Sequence, residues 1–485
     1  MVVGEIPEAA DLLIVGGGPG GYVAAIRGAQ LGREVVLVDR RGDTGVGGVC
    51  LHVGCIPSKA LIEVASAAHT TTSSAHMGLQ GNCSVDLAAW QTWRSRVVDD
   101  LTGGVRALLR AAGVTIVAGD LRFTRPNQAV VETTAGTTRF YEFSDVIIAT
   151  GSRPTELGAL RRDGVQVLDS TDLLALRAVP ASLVVVGAGY SGVELATAMA
   201  KLGAEVTIVE VSDRILPTMD PSLVKPVLSR LRQLGVTVMT SAVAEGYDAG
   251  AVRVKVGTHL QHIKADKVLV TVGRTPNTDQ LGLDRLGVTP DARGLIAVQT
   301  DRRVSAHVAA IGDITEGPAL AHKASAEALV AAEALSGHRV AFTPKAIPTV
   351  VFTDPEIAST GLNERQARAV GVDPIVARFP LSASGRAQTM TTTQGHIEIV
   401  ADRATQAVVG VHAVGPHASD LISEGTLAVE MGATLEDLAA TIHPHPTLSE
   451  QYPEAAHLAL GVPIHLPARP RGHLDSPIST PTMHS

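Results

Sequence analysis

The feature that most constrains this chain is an internal repeat. Residues 11–39, DLLIVGGGPGGYVAAIRGAQLGREVVLVD, align without gaps on residues 182–210, SLVVVGAGYSGVELATAMAKLGAEVTIVE. Each copy reads as apolar strand, glycine turn, helix and second strand, a unit whose two strands lie in a parallel sheet. Gly16, Gly18 and Gly21 recur as Gly187, Gly189 and Gly192, and an acid closes each second strand, Asp39 in one copy and Glu210 in the other. The first glycine makes the turn, the second lets backbone approach a pyrophosphate, and the third lets helix and strand pack closely. The helix N-terminus offers N–H groups and a positive dipole end to the phosphates, and the acid accepts hydrogen bonds from ribose hydroxyls. One such motif can be an ordinary tight turn. Two, each with its acid, point to two dinucleotides in one chain and a relay between them.

At 485 residues the chain exceeds what one hydrophobic core usually serves. Segments 149–154 (ATGSRP) and 272–277 (VGRTPN) each end an apolar strand in glycine and read as the points where the chain leaves one domain for the next. A further apolar strand runs into glycine and acid at 310–313 (AIGD). From 347 the pattern changes to short strands at 349–352, 395–400 and 408–414, then helices at 419–431 and 435–440. The expected organisation is 1–150 and 281–346 as two parts of one dinucleotide domain, 151–280 as the other, 347–466 as a separate module, and 467–485 as a disordered Pro/Ser/Thr tail. The fold class expected is α/β, with two Rossmann-like dinucleotide-binding domains and a C-terminal α+β domain.

Composition narrows the function classes. Forty basic against 48 acidic side chains, a formal charge of -8, argue against a nucleic-acid partner. The first eleven residues carry Glu5, Glu8 and Asp11 and no basic residue, unlike a secretory signal or transit peptide. Apolar stretches break before the roughly 20 residues of a membrane span, so no membrane partner and a soluble cytoplasmic location are expected. Three cysteines are too few for a secreted disulfide scaffold.

Two of those cysteines, Cys50 and Cys55, fall in GGVCLHVGCIPSK just after the first repeat. The pair reads as a redox centre, as two buried structural thiols, or as half of a zinc site. Zinc requires further ligands at suitable spacing, whereas Cys83 stands alone, so no metal is expected. Near the other end, IHPHPTLSE places His443 and His445 in a proline-stiffened loop. A histidine near its ordinary pKa of about 6.5 can exchange a proton with a dithiol of about 8.5, and Glu450 can orient His445. Two solvent-facing histidines in a stiff loop are the alternative.

GGxCxxxGCIPSK beside GxGxxG resembles the redox-active disulfide of the FAD-dependent pyridine nucleotide–disulfide oxidoreductases. TVGRTPN, AIGD, Ala321-His322-Lys323 and the late His-Pro-Thr follow in the family's order, so the resemblance covers roughly residues 10 to 465. It implies that FAD is held by the first repeat with Gly48, Lys59, Thr150, Gly151, Ser152, Asp313, Leu320, Ala321 and His322, Asp313 taking the ribityl chain. It implies NAD on the second repeat with Gly273. It makes Cys55 the flavin-proximal sulfur and Cys50 the exposed one that exchanges with substrate, and pairs Lys59 with Glu194. It makes His445 and Glu450 a base dyad acting on the partner subunit's disulfide, the 347–466 module a dimerisation domain, and the enzyme an obligate homodimer.

Within the family, Glu210 suits NAD by accepting its adenosine ribose hydroxyls and repelling a 2′-phosphate. Val211 and Pro217 stand where glutathione reductases place arginines, with Arg214 close by. HPHPTL, CIPSK and Gly385-Arg386-Ala387 resemble the branch that oxidises dihydrolipoamide to lipoamide with NAD+ as acceptor. Its implied partners are a lipoyl-bearing acyltransferase of a 2-oxoacid dehydrogenase or a glycine-cleavage carrier protein. Mercuric reductases carry a C-terminal cysteine pair and soluble transhydrogenases lack one active cysteine; neither pattern fits. The alternatives are a reductase of another disulfide, such as glutathione or CoA disulfide, and a mainly assembly-type flavoprotein subunit. Tyr190 reads either as a cover for the flavin face or as a packed loop residue. Cys83 reads as inert, and His52 departs from the family's usual asparagine.

Overall fold

The structure is a computed structural model, and it describes residues 7–467. Residues 468–485, nearly all of the expected tail, lie outside the described residues. Two compact units emerge: one runs to Pro344 and includes Val351–Asp354, the other comprises Lys345–Val350 and the residues from Pro355 on.

In the first unit each repeat builds what its pattern predicts. Strands Glu8–Val15 and Val35–Asp39 flank helix Pro19–Gln30, and strands Ser182–Val186 and Glu205–Val209 flank helix Tyr190–Lys201, with parallel pairing in both. Around the first repeat the parallel order is Thr115–Arg125, Val35–Asp39, Glu8–Val15, Thr138–Ile148 and Val308–Ala310. The strand before AIGD therefore returns to the first sheet. Around the second the order is Thr237–Met239, Glu205–Val209, Ser182–Val186, Lys267–Val270 and Val167–Leu168. These strands are continuous Val/Ile/Leu runs because a parallel sheet covered on both faces exposes neither; Leu12, Leu13 and Ile14 are all fully buried.

Each half also carries an antiparallel excursion. In the first, Gln128–Thr133 pairs with the far ends of its two long neighbours; in the second, Ala242–Asp248, Ala251–Val256 and His259–Lys264 form a meander. The two exit segments pair with each other, Ser152–Pro154 antiparallel to Arg274–Pro276, so the crossings between the halves form a two-stranded clasp.

One stretch departs from expectation. Gly48–Ser73 is long and apolar enough by composition to cross a membrane, because valines, isoleucines, leucines and cysteines are spread along it. It is two helices broken at Gly54, and Lys59 within it is engaged by a carboxylate.

In the second unit, antiparallel strands run in the order Glu356–Gly361, Val408–Gly415, His396–Asp402 and Pro374–Pro380. Helices Ala418–Met431, Leu435–Ala440 and Gln451–Ala459 share a core with this sheet through Ile397, Ile399, Val411, Leu435 and Tyr452.

Candidate active site

The repeat is matched down to single hydrogen bonds. Gly16 and Gly187 stand at φ 102° and 100°, a region closed to most side chains. A Cβ on Gly21 would lie 1.7 Å from the Gly16 carbonyl oxygen, and one on Gly192 2.0 Å from that of Gly187. Gly18 and Gly189, each the residue before its helix, have nothing within 4 Å of where a Cβ would sit; the open space lies where phosphate oxygens would meet the helix N–H groups. Asp39 accepts from the N–H groups of Gly17 (3.0 Å) and Arg41 (2.9 Å). Its counterpart Glu210 accepts from Ala188 (2.6 Å) and Ser212 (2.8 Å). Both acids are thus oriented by the turns they serve.

A cavity of about 1100 Å³ runs through the first unit from Asp39 past Gly16 and Gly18 to Cys50, Cys55 and Lys59. Gly48, Thr150, Gly151, Ser152, Asp313 and Ala321 line it, whereas Leu320, His322 and Gly21 do not. Gly48 is at φ 59°, and a Cβ there would sit 2.6 Å from the Gly18 Cα, so the cysteine segment is pressed against the glycine turn. The size and the open cradle at Gly18 fit a dinucleotide. Gly187, Gly189, Gly192, Glu210 and Gly273 lie in the second half and do not line this cavity, although Tyr190, Glu194 and Arg274 reach it.

Arg274 and Asn277, read in sequence only as part of the second exit segment, tie the floor together. Arg274 donates to the Ser152 hydroxyl (2.7 Å), which donates to Asp313 Oδ2 (2.5 Å). Thr150 and Asn277 exchange side-chain to backbone bonds at 2.7 and 3.0 Å. These contacts arise because TGSRP and GRTPN form the clasp, a pairing no local pattern announces.

Both active-site cysteines are unpaired thiols, so the geometry is that of the reduced pair rather than of a disulfide. Both line the cavity, Cys55 as the exposed member and Cys50 partly buried. The Cys50 thiol hydrogen-bonds Cys55 and, with the Lys59 ammonium, brings the Cys55 thiol down to about 7 against the opposing effect of desolvation. The same bond, with burial, pushes the Cys50 thiol up. Cys55 is therefore the thiolate of the pair at neutral pH.

Lys59 Nζ donates to Glu194 Oε2 at 2.7 Å, with Glu194 only 3% exposed. Phe352, a second unforeseen partner, donates its N–H to Glu194 Oε1 (2.9 Å) and holds its ring 4.4 Å from Lys59 Nζ. A turn or two along the same helices, Lys201 bonds Ser66 and pairs with Asp354 at 2.9 Å. His52 faces the Val46 carbonyl through Nε2 at 2.9 Å, and desolvation lowers its pKa. Tyr190 is half exposed at the cavity wall, and burial pushes its hydroxyl pKa up.

The second unit separates the two loop histidines. His445 is exposed and bonded through Nδ1 to Glu450 Oε1 at 2.8 Å; among the described residues its Nε2 takes no partner. Glu450 also accepts from the Thr447 N–H (2.8 Å); desolvation opposes ionisation, but the Thr447 and His445 hydrogen bonds outweigh it and lower the carboxyl's pKa. The His443 side chain is instead only 6% exposed, its Nε2 2.7 Å from Glu424 and its Nδ1 2.9 Å from the Thr441 carbonyl, and it stacks on Tyr452. Arg386 of the GRA motif lines a groove beside Pro446–Ser449. Among the described residues no cluster suited to a metal ion occurs.

Residues 10–328 match the family model for pyridine nucleotide-disulphide oxidoreductases, and residues 347–456 match that family's dimerisation domain. The dihydrolipoyl dehydrogenase of Geobacillus stearothermophilus is 47% identical over 472 residues, 96% of this chain and 99% of the relative. That of Halobacterium salinarum is 44% identical over 473 residues, with the same coverage. Among solved structures, LpdA from Mycobacterium tuberculosis superposes with a TM-score of 0.86 at 28% identity, covering 93% of this chain and 99% of that one. The HOCl-induced flavoprotein disulfide reductase RclA from Escherichia coli gives 0.81 at 25% identity, over 92% and 99%.

Proposed function

The chain belongs to the pyridine nucleotide-disulphide oxidoreductase family, and we propose that it catalyses the dihydrolipoyl dehydrogenase reaction, oxidising a protein-bound dihydrolipoyl group to lipoamide and reducing NAD+ to NADH. The relatives that carry this activity in their names match nearly the whole chain. The observation that carries the reading is the Cys50–Cys55 pair on the cavity wall, with Cys55 brought to about 7.

FAD, held along the first repeat with Asp39, Ser152 and Asp313, supplies the two-electron chemistry that links the dithiol to NAD+ on the second repeat. In the oxidised pair, His445 Nε2 takes a proton from a dihydrolipoyl thiol while Glu450 holds Nδ1–H and stabilises the imidazolium. The resulting thiolate attacks Cys50 Sγ, the Cys50–Cys55 bond breaks, and Cys55 leaves as thiolate. Its depressed pKa makes it the better leaving group. The second substrate thiol then displaces Cys50 from the mixed disulfide. Two electrons and one proton have passed from substrate to the cysteine pair, leaving Cys50 as thiol and Cys55 as thiolate; the other proton rests on His445, and lipoamide departs. Lys59, held by Glu194 and Phe352, places positive charge beside the Cys55 sulfur throughout.

The chain acts as a dimer through its dimerisation domain, and we assign His445 and Glu450 of one chain to the cysteine pair of its partner. The dihydrolipoyl group is supplied by an acyltransferase of a 2-oxoacid dehydrogenase complex or a glycine-cleavage carrier protein. Glu210, oriented by two backbone N–H groups, repels a 2′-phosphate, so NAD is the nicotinamide used. Initial rates with dihydrolipoamide and NAD+ test this against NADP+, and with NADH against glutathione and CoA disulfides. Faster turnover of either of those disulfides than of lipoamide would overturn the substrate assignment.

A further inference from the structure

A charged cluster with no part in the thiol chemistry lies buried against the cavity floor. Gly312 lines the cavity beside Asp313 at φ 79°. Its N–H donates to Glu327 Oε2 at 2.7 Å, and its carbonyl accepts from Lys323 Nζ at 3.1 Å, so one peptide residue is gripped from both sides. Lys323 Nζ also lies 3.2 Å from Glu327 Oε1 and donates to Thr315 Oγ1 at 3.0 Å. Arg302 Nη1 donates to the same Glu327 oxygen at 3.0 Å, with its guanidinium 5.0 Å from the Phe342 ring centre. The side chains of Lys323, Glu327 and Arg302 are 2%, 0% and 13% exposed.

Buried ion clusters are poor stabilisers, because desolvation offsets their attraction and apolar replacements of similar volume often do as well. Holding one turn does not require three of these charges. The count is uneven: two cations face one carboxylate, which leaves one positive charge in excess in a region where water screens little. On the cavity side, Asp313 is linked through Ser152 to Arg274, so that acid has its own cation.

We propose that Lys323, Glu327 and Arg302 are positioning residues that fix the Gly312–Asp313 turn and, through their excess positive charge, favour the electron-rich reduced form of the flavin bound above it. The inference rests on the cavity being the FAD site. Reduction adds negative charge to the flavin, and a buried cation nearby raises its potential.

The test is the midpoint potential of the flavin in purified holoenzyme, for the wild type, Glu327→Gln and Lys323→Met. Removing the carboxylate raises the potential and removing the ammonium lowers it, each by a shift equivalent to about tenfold in the reduction equilibrium, about 30 mV for a two-electron couple. Opposite signs mark an electrostatic role, since mere loosening of the turn moves both variants the same way. Shifts of the same sign, or none, would overturn the proposal. If Glu327→Gln does not retain flavin, Lys323→Met decides by its sign. If neither retains it, Arg302→Met, which leaves both Gly312 contacts in place, must lower the potential; an unchanged or raised value would overturn the proposal. A wild-type protein purified without flavin would refute the cofactor reading instead.

Discussion

Replacing Cys50 by alanine removes the largest influence holding the Cys55 thiol down. In the reduced pair that influence is the Cys50 hydrogen bond; desolvation comes next and acts upward, ahead of the attraction of Lys59. With the bond gone, desolvation is opposed only by Lys59 and a backbone hydrogen bond, and the midpoint rises from about 7 toward the ordinary 9.0. At pH 7 the thiolate fraction falls from about a half toward the roughly 1% of a thiol at 9.0, so alkylation of Cys55 slows by up to roughly 50-fold. Cys50→Ser keeps an O–H donor and gives an intermediate value. The assay is the rate of iodoacetamide labelling at Cys55 against pH, located by peptide mass, in a Cys83→Ser background because Cys83 is exposed. A midpoint still near 7 in Cys50→Ala would refute the argument that the partner thiol sets the Cys55 charge.

Gly18→Ala folds with unchanged thermal stability, having nothing within 4 Å of the new methyl, but its FAD affinity falls at least tenfold by fluorescence titration; Gly21→Ala, 1.7 Å from a carbonyl oxygen, does not accumulate as folded protein. His445→Gln loses about 10²–10⁴-fold in turnover with its melting temperature unchanged, whereas His443→Gln lowers the melting temperature first, because it unpairs the buried Glu424 contact; equal effects on both readouts would contradict the division of roles. For Asp354, desolvation opposes ionisation, but Lys201 and Arg230 outweigh it and hold the pKa below the ordinary 3.8. The stability it contributes is therefore complete above that value and is lost as pH falls below it. Urea titrations should show wild type exceeding Asp354→Asn at pH 7 and the two converging in strong acid; a constant gap would refute the ion-pair account.

The parts of the fold and site that were legible in sequence are those written locally. The repeat dictated two parallel sheets because glycine spacing, strand apolarity and terminal acid all occur within one βαβ length. The cysteine pair was likewise visible as a spacing, and the late strands and helices of the second unit lie within a residue or two of where the pattern put them. What escaped depends on contacts between distant segments. Phe352 serves Lys59 and Glu194 from far along the chain, and Ser152 meets Arg274 only because two exit segments pair. His443 and His445 look alike in HPHP, yet one is packed on Tyr452 and the other faces solvent. The meander from Ala242 to Lys264 is a further local signal, written in VRVKV and its DAG and GTH turns.

The central claim is that electrons from a dihydrolipoyl group reach NAD+ through Cys50 and Cys55. Its most direct measurement is NADH formation from dihydrolipoamide and NAD+ by purified wild-type dimer and by Cys50→Ser carrying its full complement of FAD. NADH formation by the wild type and none by the variant is the predicted result. Wild-type rates in the variant would contradict the account.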